Sequence, residues 1–341
     1  MKISVIIPFV AEYPQILFTI KSVWDALKDS DFDFEVMAID NWCEQAAAQV
    51  MWKWPDGKPF TRSDFWGHQF KKKDESGQSV PQPNRCGDRV ASYAAMHPWL
   101  TYLHYDKKLS HWQAKNLGVA NSTGEILFFL DGHCMVDRYT LLGAIRHYST
   151  SMKEGTLHLP VTYFLERDKD ALIYKLVADP ERCLYHYSFT KYRKSDTPYT
   201  VPCMSTCGML MSRLIYDDLG GWPELMGIYG GGEHFVNFTL ATLGYTIHIF
   251  PGAAVHHYAE KRGYNYEYTD YQRNRILATY MFGGEDMADT FSKQCKLDEN
   301  TRLKVLQQVL DEGATQRQSL ASKQVIGIEE WVKKWRPDHA E

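Results

Sequence analysis

The segment Glu125-Ile126-Leu127-Phe128-Phe129-Leu130-Asp131-Gly132-His133-Cys134 is an apolar run of strand length that ends abruptly on polar groups. The five residues from Ile126 to Leu130 are all apolar, which is typical of a strand covered on both faces in a parallel sheet. In open α/β sheets, ligands bind beyond the carboxyl ends of the strands. We therefore expect Asp131 and His133 to lie at a ligand site.

A strand–helix–strand unit precedes this segment. Ile3 to Phe9 is a continuous, mostly β-branched run, and Phe34 to Ile39 is a second short strand that ends in Asp40-Asn41. Between them, apolar residues recur at helical spacing and form one stripe: Ile16, Leu17, Ile20, Val23, Trp24 and Leu27. This βαβ pattern predicts an α/β fold with a twisted, mostly parallel sheet flanked by helices.

The same rhythm continues through most of the chain. Further strands are predicted at Tyr102–Tyr105, Glu125–Leu130, Leu157–Phe164, Cys207–Ser212 and Tyr245–Phe250. Helices are predicted at Ser110–Asn121, Tyr139–Tyr148 and Phe235–Leu243, and from about Tyr266 the pattern becomes helical with Leu303, Leu306, Val309 and Leu310 on one face.

One stretch, residues 52–99, breaks the pattern. It contains five prolines and the run Lys71-Lys72-Lys73 without a sustained period, so we interpret it as a long insertion. Trp and Phe residues flank the lysines, and charge beside aromatic faces is also found on surfaces that bind single-stranded nucleic acid. A solvated loop and a nucleic-acid surface are both compatible with this composition.

Net charge, apolar run length and cysteine content indicate in which compartment the protein works and which partners it binds. The 341 residues carry a net charge of −4, so no global field favours nucleic acid or an anionic membrane. No apolar run approaches the roughly 20 residues of a membrane span, and strand-like sequence from the second residue leaves no room for a signal peptide. Seven scattered cysteines suit a reducing compartment. We expect a soluble cytoplasmic protein without a membrane span, in the host cytoplasm if the chain is viral.

The pair Asp131 and His133 has metal-binding character. Two residues apart on a turn, they can place one oxygen and one nitrogen on the same cation, and His256-His257 follows a later strand at the same edge of the sheet. Imidazole ligands favour Mn²⁺ over Mg²⁺. An aspartate capping a turn and a hydrogen-bonded histidine would look the same in sequence.

Several motifs together resemble one superfamily. The segment ending in Asp-Gly-His-Cys is similar to the metal-binding strand of GT-A glycosyltransferases, in the Asp-x-His form of the polypeptide N-acetylgalactosaminyltransferase family. Motifs similar to those of glycosyltransferase family 2 accompany it in order: Val5-Ile6-Ile7-Pro8, Asp40-Asn41, Ala114-Lys115-Asn116-Leu117-Gly118, Gly220-Gly221-Trp222-Pro223-Glu224 and Gly231-Gly232-Glu233. The resemblance extends from Lys2 to Tyr264.

The resemblance implies a GT-A catalytic domain over residues 1–264 and a helical C-terminal region over residues 265–341. The donor would be a nucleotide-diphosphate sugar, most simply a UDP-sugar, with Mn²⁺ (or Mg²⁺) as cofactor. The metal ligands implied are Asp131, His133 and His257, with His256 as the rival of His257. The donor-binding residues implied are Pro8, Glu12, Asp40, Asn41, Lys115 and Asp131, with Pro8 and Glu12 shaping the base pocket.

Glu233 and His234 are the catalytic candidates on the acceptor side. Inverting enzymes need a base near the acceptor hydroxyl, and in family 2 it is usually an Asp after the Glu, where this chain has His234. The Gly-Gly-Glu form is more similar to the retaining N-acetylgalactosaminyl group, so both stereochemical outcomes stay open.

Two acceptor classes also stay open. One is a saccharide, a lipid-linked glycan or a protein. The other is a hydroxymethylated base in DNA, a hypothesis suggested by the basic and aromatic residues of the insertion. A catalytically inactive module that binds a nucleotide sugar or glycan is the alternative to an enzyme.

Overall fold

The structure is a computed structural model that describes residues 1–10, 12–43, 46, 51–53, 59–61, 71–73, 79–81, 85–151, 154–163, 171–258 and 266–335. For the four short strands between residues 51 and 81, only the backbone is described. The strands are β1 Lys2–Phe9, β2 Asp33–Asp40, β3 Met51–Lys53, β4 Pro59–Thr61, β5 Lys71–Lys73, β6 Ser79–Pro81, β7 Leu100–His104, β8 Ile126–Phe129, β9 Cys134–Met135, β10 Gly155–His158, β11 Val161–Thr162, β12 Leu172–Asp179, β13 Leu184–Lys191, β14 Tyr199–Val201, β15 Met209–Ser212, β16 Thr246–Ile249 and β17 Val255–His257. The helices are α1 Gln15–Leu27, α2 Arg85–Ala94, α3 His111–Ala120, α4 Arg138–Ser151, α5 Arg213–Leu219, α6 Gly232–Thr242, α7 Tyr268–Gly283, α8 Glu285–Ser292, α9 Glu299–Lys323 and α10 Ile328–Lys334.

The main sheet has eight strands in the order β14-β16-β10-β15-β8-β1-β2-β7. The pairs β1–β2, β1–β8, β2–β7 and β10–β16 are parallel. Strand β15 runs antiparallel to both β8 and β10, and β14 runs antiparallel to β16. The predicted mostly parallel sheet flanked by helices is confirmed.

Helices cover both faces of this sheet. Ile3, Val5 and Ile7 of β1 enter one core cluster together with α1 and α4, whereas Ile6 enters a second cluster with α3, α6 and α7. Side chains alternate between the faces of a strand, so a strand buried on both faces needs apolar residues on both, and β1 has them from Ile3 to Phe9 except at Ser4. Gly118 lets α3 approach closely, because a Cβ there would lie 2.7 Å from Ile39 Cδ1.

A second, five-stranded sheet has the order β13-β12-β11-β17-β9. The single strand predicted over Leu157–Phe164 is divided between the two sheets as β10 and β11, and Phe164 lies outside the described residues. Pro160 separates the two strands, and proline has no N–H group to continue a ladder. The β12–β13 hairpin was not predicted. It spans residues 172–191, a segment that mixes charged, polar and aromatic side chains.

The insertion predicted over residues 52–99 contains two short hairpins, β3–β4 and β5–β6, and the unpredicted helix α2. Lys71, Lys72 and Lys73 form strand β5, and their side chains lie outside the described residues. The proposed domain boundary after residue 264 also lies outside them.

The C-terminal helices share the core of the sheet. Ile276 and Met281 of α7 and Val309 of α9 pack in the same cluster as Ile6. Of the apolar face predicted for α9, Leu306 and Val309 are buried, whereas Leu303 is 48% exposed. No helix in the described part of the chain is long and apolar enough to cross a membrane.

Candidate functional site

The predicted metal ligands meet where two sheets adjoin. Asp131 and His133 lie in the turn after β8, and His257 ends β17, which pairs with β9 so that His257 faces Cys134. The turn passes close to β1, because a Cβ on Gly132 would lie 2.7 Å from Phe9 Cβ. Glycine at this position therefore allows the turn to place both side chains at the end of the sheet.

The three side chains converge. His257 Nε2 lies 3.4 Å from Asp131 Oδ2 and 3.1 Å from His133 Nε2. One ligand atom from each of the three residues lies within 4.8 Å of the other two. This set of one carboxylate oxygen and two imidazole nitrogens fits a first-row divalent cation such as Mn²⁺.

His256 does not join this group. Successive side chains of a strand point to opposite faces, and the backbone of His256 is opposite Thr162 and Met135 in the sheet. Within the described part of the chain, Nδ1 has no hydrogen-bond partner in either His256 or His257, so only the position of Nε2 of His257 beside Asp131 and His133 distinguishes them. The geometry therefore favours His257 over His256 as the third ligand.

Glu12 contacts His133 from outside the group. Glu12 Oε1 lies 2.6 Å from His133 Nδ1, and Glu12 Oε2 accepts a hydrogen bond from the Val10 backbone N–H at 3.0 Å. An ionised carboxylate can only accept, so Nδ1 of His133 carries a proton; in the neutral imidazole, Nε2 then has the lone pair that a metal ligand needs. The expected role of Glu12 in the base pocket stays a prediction; the contact that the structure shows is with His133, and carboxylates commonly orient imidazoles of metal sites in this way.

Lys115 is fully buried and pairs with Asp131. Its Nζ lies 3.3 Å from Asp131 Oδ1, and it sits 4.8 Å and 5.7 Å from the ring centroids of Trp112 and Trp222. Burial alone would raise the pKa of Asp131, but the Lys115 charge and the His257 hydrogen bond hold that pKa well below its usual range. Asp131 is therefore an anion. Burial lowers the pKa of His257, which keeps this imidazole neutral, as a metal ligand requires.

Asp40 ends β2 in a buried setting. Its Oδ1 accepts from the Trp42 N–H and its Oδ2 from the Tyr102 hydroxyl, each at 3.0 Å. Burial raises the pKa of Asp40 to about 6, although both hydrogen bonds act in the opposite direction. Helix α2 passes directly over it, because a Cβ on Gly87 would lie 2.0 Å from Asp40 Oδ2.

Asn41 and Pro8 each contact backbone segments next to the site. The Asn41 amide donates to the carbonyls of Tyr105 and Lys108 and accepts from the Ser110 N–H at 2.7 Å. These bonds hold the loop that leads into α3. The Pro8 carbonyl lies 3.1 Å from a Cβ built on Gly132, so Pro8 borders the turn that carries Asp131.

Asn116 joins two of the predicted motifs. Its Nδ2 donates to the Trp222 carbonyl at 2.8 Å, and its Oδ1 accepts from the Trp222 N–H at 3.0 Å. Gly220 and Gly221 both have a φ of +71°, a left-handed conformation that glycine adopts without strain. The Ala-Lys-Asn-Leu-Gly helix therefore holds the Gly-Gly-Trp turn, and with it the indole beside Lys115.

On the acceptor side, Glu233 lies in the first turn of α6. The Tyr187 hydroxyl is 3.5 Å from Glu233 Oε2. His234 is buried, and its Nε2 lies 2.7 Å from His186 Nδ1. Burial, then the nearby His186 and Arg275, lower the pKa of His234 well below its usual range, so this imidazole stays neutral.

An aromatic row that sequence reasoning missed links the two ends of the site. Tyr163 packs edge-on against His257 with centroids 5.2 Å apart and against Phe189 at 5.5 Å. Tyr174 packs against Phe189 and stacks on Tyr187 at 4.3 Å, which in turn contacts Glu233. Burial, and after it charges that include Glu233 and Asp131, raise the pKa of Tyr163. The alternation Tyr185-His186-Tyr187-Ser188-Phe189 was the sequence signal for this row.

Known proteins resemble this chain in part of its sequence and in its fold. Residues 82–220 match the profile described as glycosyl transferase family 2. The fold is similar to a crystal structure of GalNAc-T7 with UDP, GalNAc and Mn²⁺, with a TM-score of 0.60 and 15% identity over 92% of this chain. This chain spans 55% of the length of that structure.

Two further structures give lower scores. One is TarS from S. aureus in complex with UDP-GlcNAc, with a TM-score of 0.49 and 13% identity over 92% of this chain and 73% of that chain. The other is a mannosyltransferase from Pyrobaculum calidifontis in complex with GDP-Man and Mn²⁺, with a TM-score of 0.47 and 14% identity over 97% of this chain and 78% of that chain. The similarity to the GalNAc-T7 structure confirms the predicted GT-A fold.

Proposed function

We propose that this protein transfers a sugar from a nucleotide-diphosphate sugar, with UDP as the nucleotide, to an acceptor hydroxyl in a reaction that depends on Mn²⁺. The observation that carries the proposal is the convergence of Asp131, His133 and His257 within 4.8 Å. The GalNAc-T7 structure of similar fold contains UDP, GalNAc and Mn²⁺, which supports the same ligands here.

The metal centre would serve the leaving group. Asp131, His133 and His257 would hold the cation, which stabilises the negative charge that develops on the departing diphosphate. Glu12 fixes the tautomer of His133, and Lys115 fixes the orientation of the Asp131 carboxylate. Neither of these two residues needs to bind the cation itself.

The nucleotide would bind beside β2. A carboxylate at Asp40 accepts hydrogen bonds from a base N–H or a ribose hydroxyl, and Tyr102 holds the carboxylate in place. Pro8 is paired with Ile39 of β2, and Asn41 holds the loop between Tyr105 and Ser110. These contacts give the donor end of the site a rigid frame.

The acceptor would bind between Glu233 and the aromatic row. We assign the acceptor-side carboxylate to Glu233, where it orients the reacting hydroxyl. His234 would support the acceptor site without contacting the acceptor, because its imidazole is buried and forms a hydrogen bond with His186. The acceptor classes are a saccharide, lipid-linked glycan or protein on one hand and a hydroxymethylated DNA base on the other, and a cytoplasmic location stays a prediction.

A screen of nucleotide sugars for slow hydrolysis without acceptor tests the proposal. We expect hydrolysis of one UDP-sugar in the presence of Mn²⁺, loss of hydrolysis after chelation, and recovery when Mn²⁺ is restored. The His256→Ala protein is the matched control for His257→Ala, because both histidines lie on β17. Binding of a nucleotide sugar without any hydrolysis or transfer would identify an inactive binding module instead.

A further inference from the structure

The loop of residues 226–231, which we refer to as the 226–231 loop, leads directly into α6, whose first turn contains Glu233. We propose that Asn274 of helix α7 is a positioning residue, which fixes the 226–231 loop and through it the carboxylate of Glu233. The inference rests on the proposed sugar transfer, because it concerns the acceptor side of that same site.

Asn274 forms hydrogen bonds with the 226–231 loop at two points. Its Oδ1 accepts from the Gly227 N–H at 3.0 Å, and its Nδ2 donates to the Tyr229 carbonyl at 2.7 Å. The Asn274 side chain is completely buried. Because buried polar groups are costly when they lose a partner, these two bonds favour one position of the loop relative to α7.

The contact between the loop and α7 continues to the residue that precedes α6. Gly231 has a φ of +75°, and a Cβ on it would lie 2.2 Å from the Asn274 carbonyl oxygen. A Cβ on Gly230 would lie 2.6 Å from Cδ2 of Tyr271, which is on the same helix. Glycine at these two positions therefore allows the loop to lie directly on α7.

Helix α6 begins where the 226–231 loop ends. The Gly231 carbonyl accepts from the Phe235 N–H at 2.7 Å, and this bond closes the turn that contains Glu233. The Asn237 side chain donates to the Glu233 carbonyl at 2.7 Å. A shift of the loop relative to α7 would therefore move the first turn of α6, and the Glu233 carboxylate with it.

The 226–231 loop has separate contacts on the donor side. The Met226 carbonyl accepts from the buried Ser110 hydroxyl at 2.8 Å, and Ile228 packs in one cluster with Val10. Neither contact involves Asn274. Loss of the two Asn274 bonds should therefore affect the acceptor side of the site more than the donor side.

A double-mutant cycle tests whether Asn274 acts through Glu233 or serves stability alone. The assay is Mn²⁺-dependent hydrolysis of the UDP-sugar, in which water takes the place of the acceptor hydroxyl. The cycle compares Asn274→Leu, which has a similar size and forms neither bond, with Glu233→Gln and with the double variant. Asn274→Asp is a second variant, because it keeps an oxygen for the Gly227 N–H.

The matched control is Thr279→Ala. It removes a buried hydroxyl from the same helix, and this hydroxyl donates to the Arg275 carbonyl of α7 and not to the 226–231 loop. Its hydrolysis rate should equal that of the wild type. Thermal melting checks that all variants fold, and Asn274→Asp replaces Asn274→Leu in the cycle if the latter does not fold.

Asn274→Leu should lower kcat for hydrolysis by about 10- to 100-fold, because a small displacement of a reacting group has effects of this size. The Kd for the intact UDP-sugar, measured by calorimetry, should stay within about twofold of the wild-type value. In the Glu233→Gln background the same substitution should cost less than about threefold, because residues that act through one group are not additive. Asn274→Asp should lose less than Asn274→Leu.

Hydrogen exchange measured by mass spectrometry gives a readout that does not depend on activity. Residues 226–235 should exchange faster in Asn274→Leu than in the wild type, and at the wild-type rate in Thr279→Ala, because only the first substitution removes the acceptor of the Gly227 N–H. Unchanged exchange in Asn274→Leu would show that Asn274 does not fix the loop.

Equal losses of kcat from Asn274→Leu with and without Glu233 would identify a structural residue and overturn the inference. So would wild-type kcat in Asn274→Leu, or wild-type hydrolysis in Glu233→Gln. All three results leave the proposed sugar transfer standing, because they require a wild-type protein that hydrolyses the UDP-sugar. Absence of hydrolysis by the wild type would instead remove the proposed function, and with it the role assigned to Asn274.

Discussion

Oε1 of Glu12 and Nδ1 of His133 are 2.6 Å apart, although 121 residues separate them in the sequence. The contact forms because the turn after β8 crosses the end of β1, where Gly132 leaves room for the carboxylate. It fixes which nitrogen of His133 faces Asp131 and His257. Metal affinity at this centre should therefore depend on a residue that is not itself a ligand.

Replacement of Glu12 tests this dependence. Glu12→Leu should weaken Mn²⁺ binding by about 10- to 100-fold, because the imidazole loses its orienting partner. Glu12→Gln should lose less, because its side-chain carbonyl still accepts from Nδ1–H. Calorimetry with Mn²⁺ measures both effects, and ¹⁵N NMR of the metal-free protein reports the tautomer of His133. The exposed Glu125→Gln serves as control, and wild-type affinity in Glu12→Leu would contradict the assignment.

The two neighbouring histidines of β17 offer a second test. We expect His257→Ala, like Asp131→Ala, to reduce Mn²⁺-dependent hydrolysis of the donor by several orders of magnitude, because loss of a ligand removes transition-state stabilisation. His256→Ala should keep most of the activity, since its side chain is absent from the converging group. Equal losses in the two variants, or activity that survives chelation, would count against this metal centre.

Glu233 provides a prediction for the acceptor side. Glu233→Gln should lower the rate of transfer strongly, while the affinity for the intact nucleotide sugar stays within about twofold, because this carboxylate contacts Tyr187, which Tyr174, Phe189 and Tyr163 of the aromatic row separate from His257. Calorimetry and initial rates separate the two quantities. A parallel loss of donor affinity and melting temperature would instead identify Glu233 as a structural residue.

The aromatic row suggests one more comparison at the same end. His234→Asn should destabilise the protein by about 1–3 kcal/mol, because it removes a buried partner of His186. Its effect on transfer should be smaller than that of Glu233→Gln. Thermal unfolding and initial rates of both proteins check this order, and a larger catalytic loss in His234→Asn would restore His234 as a direct participant.

The central sheet could be predicted from sequence because its strands are buried on both faces. Strand β8 is entirely apolar, β1 is apolar from Val5 to Phe9, and β2 is apolar from Val36 to Ile39. Such a run within a βαβ rhythm is typical of a buried parallel strand. The hairpin β12–β13 could not be predicted in this way. It lies at a sheet edge, mixes charged with aromatic residues, and becomes ordered through contacts with α6 and Tyr163.

The site shows the same division. Asp131 and His133 follow a recognisable strand, so their position at its end was predictable, and the resemblance added His257. The positions of Glu12 and His234 depend on packing between residues far apart in the sequence. Glu12 contacts His133 in the turn after β8, and His234 contacts His186 of the β12–β13 hairpin. Spacing along the chain carries no information about either contact.

The pKa of Asp40 leads to a prediction about pH. Burial raises this pKa from 3.8 to about 6, so the carboxyl is protonated below pH 6 in the free protein and ionised above it. A nucleotide that donates hydrogen bonds needs the carboxylate, so UDP affinity should fall as the pH drops below 6, by up to about tenfold per pH unit. The Tyr102 hydrogen bond lowers the pKa of Asp40, so Tyr102→Phe should move the midpoint to higher pH. Calorimetric titration with an intact UDP-sugar between pH 5 and pH 8 measures these midpoints, because its diphosphate does not titrate in this range, unlike the terminal phosphate of UDP. Asp40→Asn should bind weakly without a transition near 6. A wild-type affinity that is flat across this range would show that Asp40 does not contact the nucleotide.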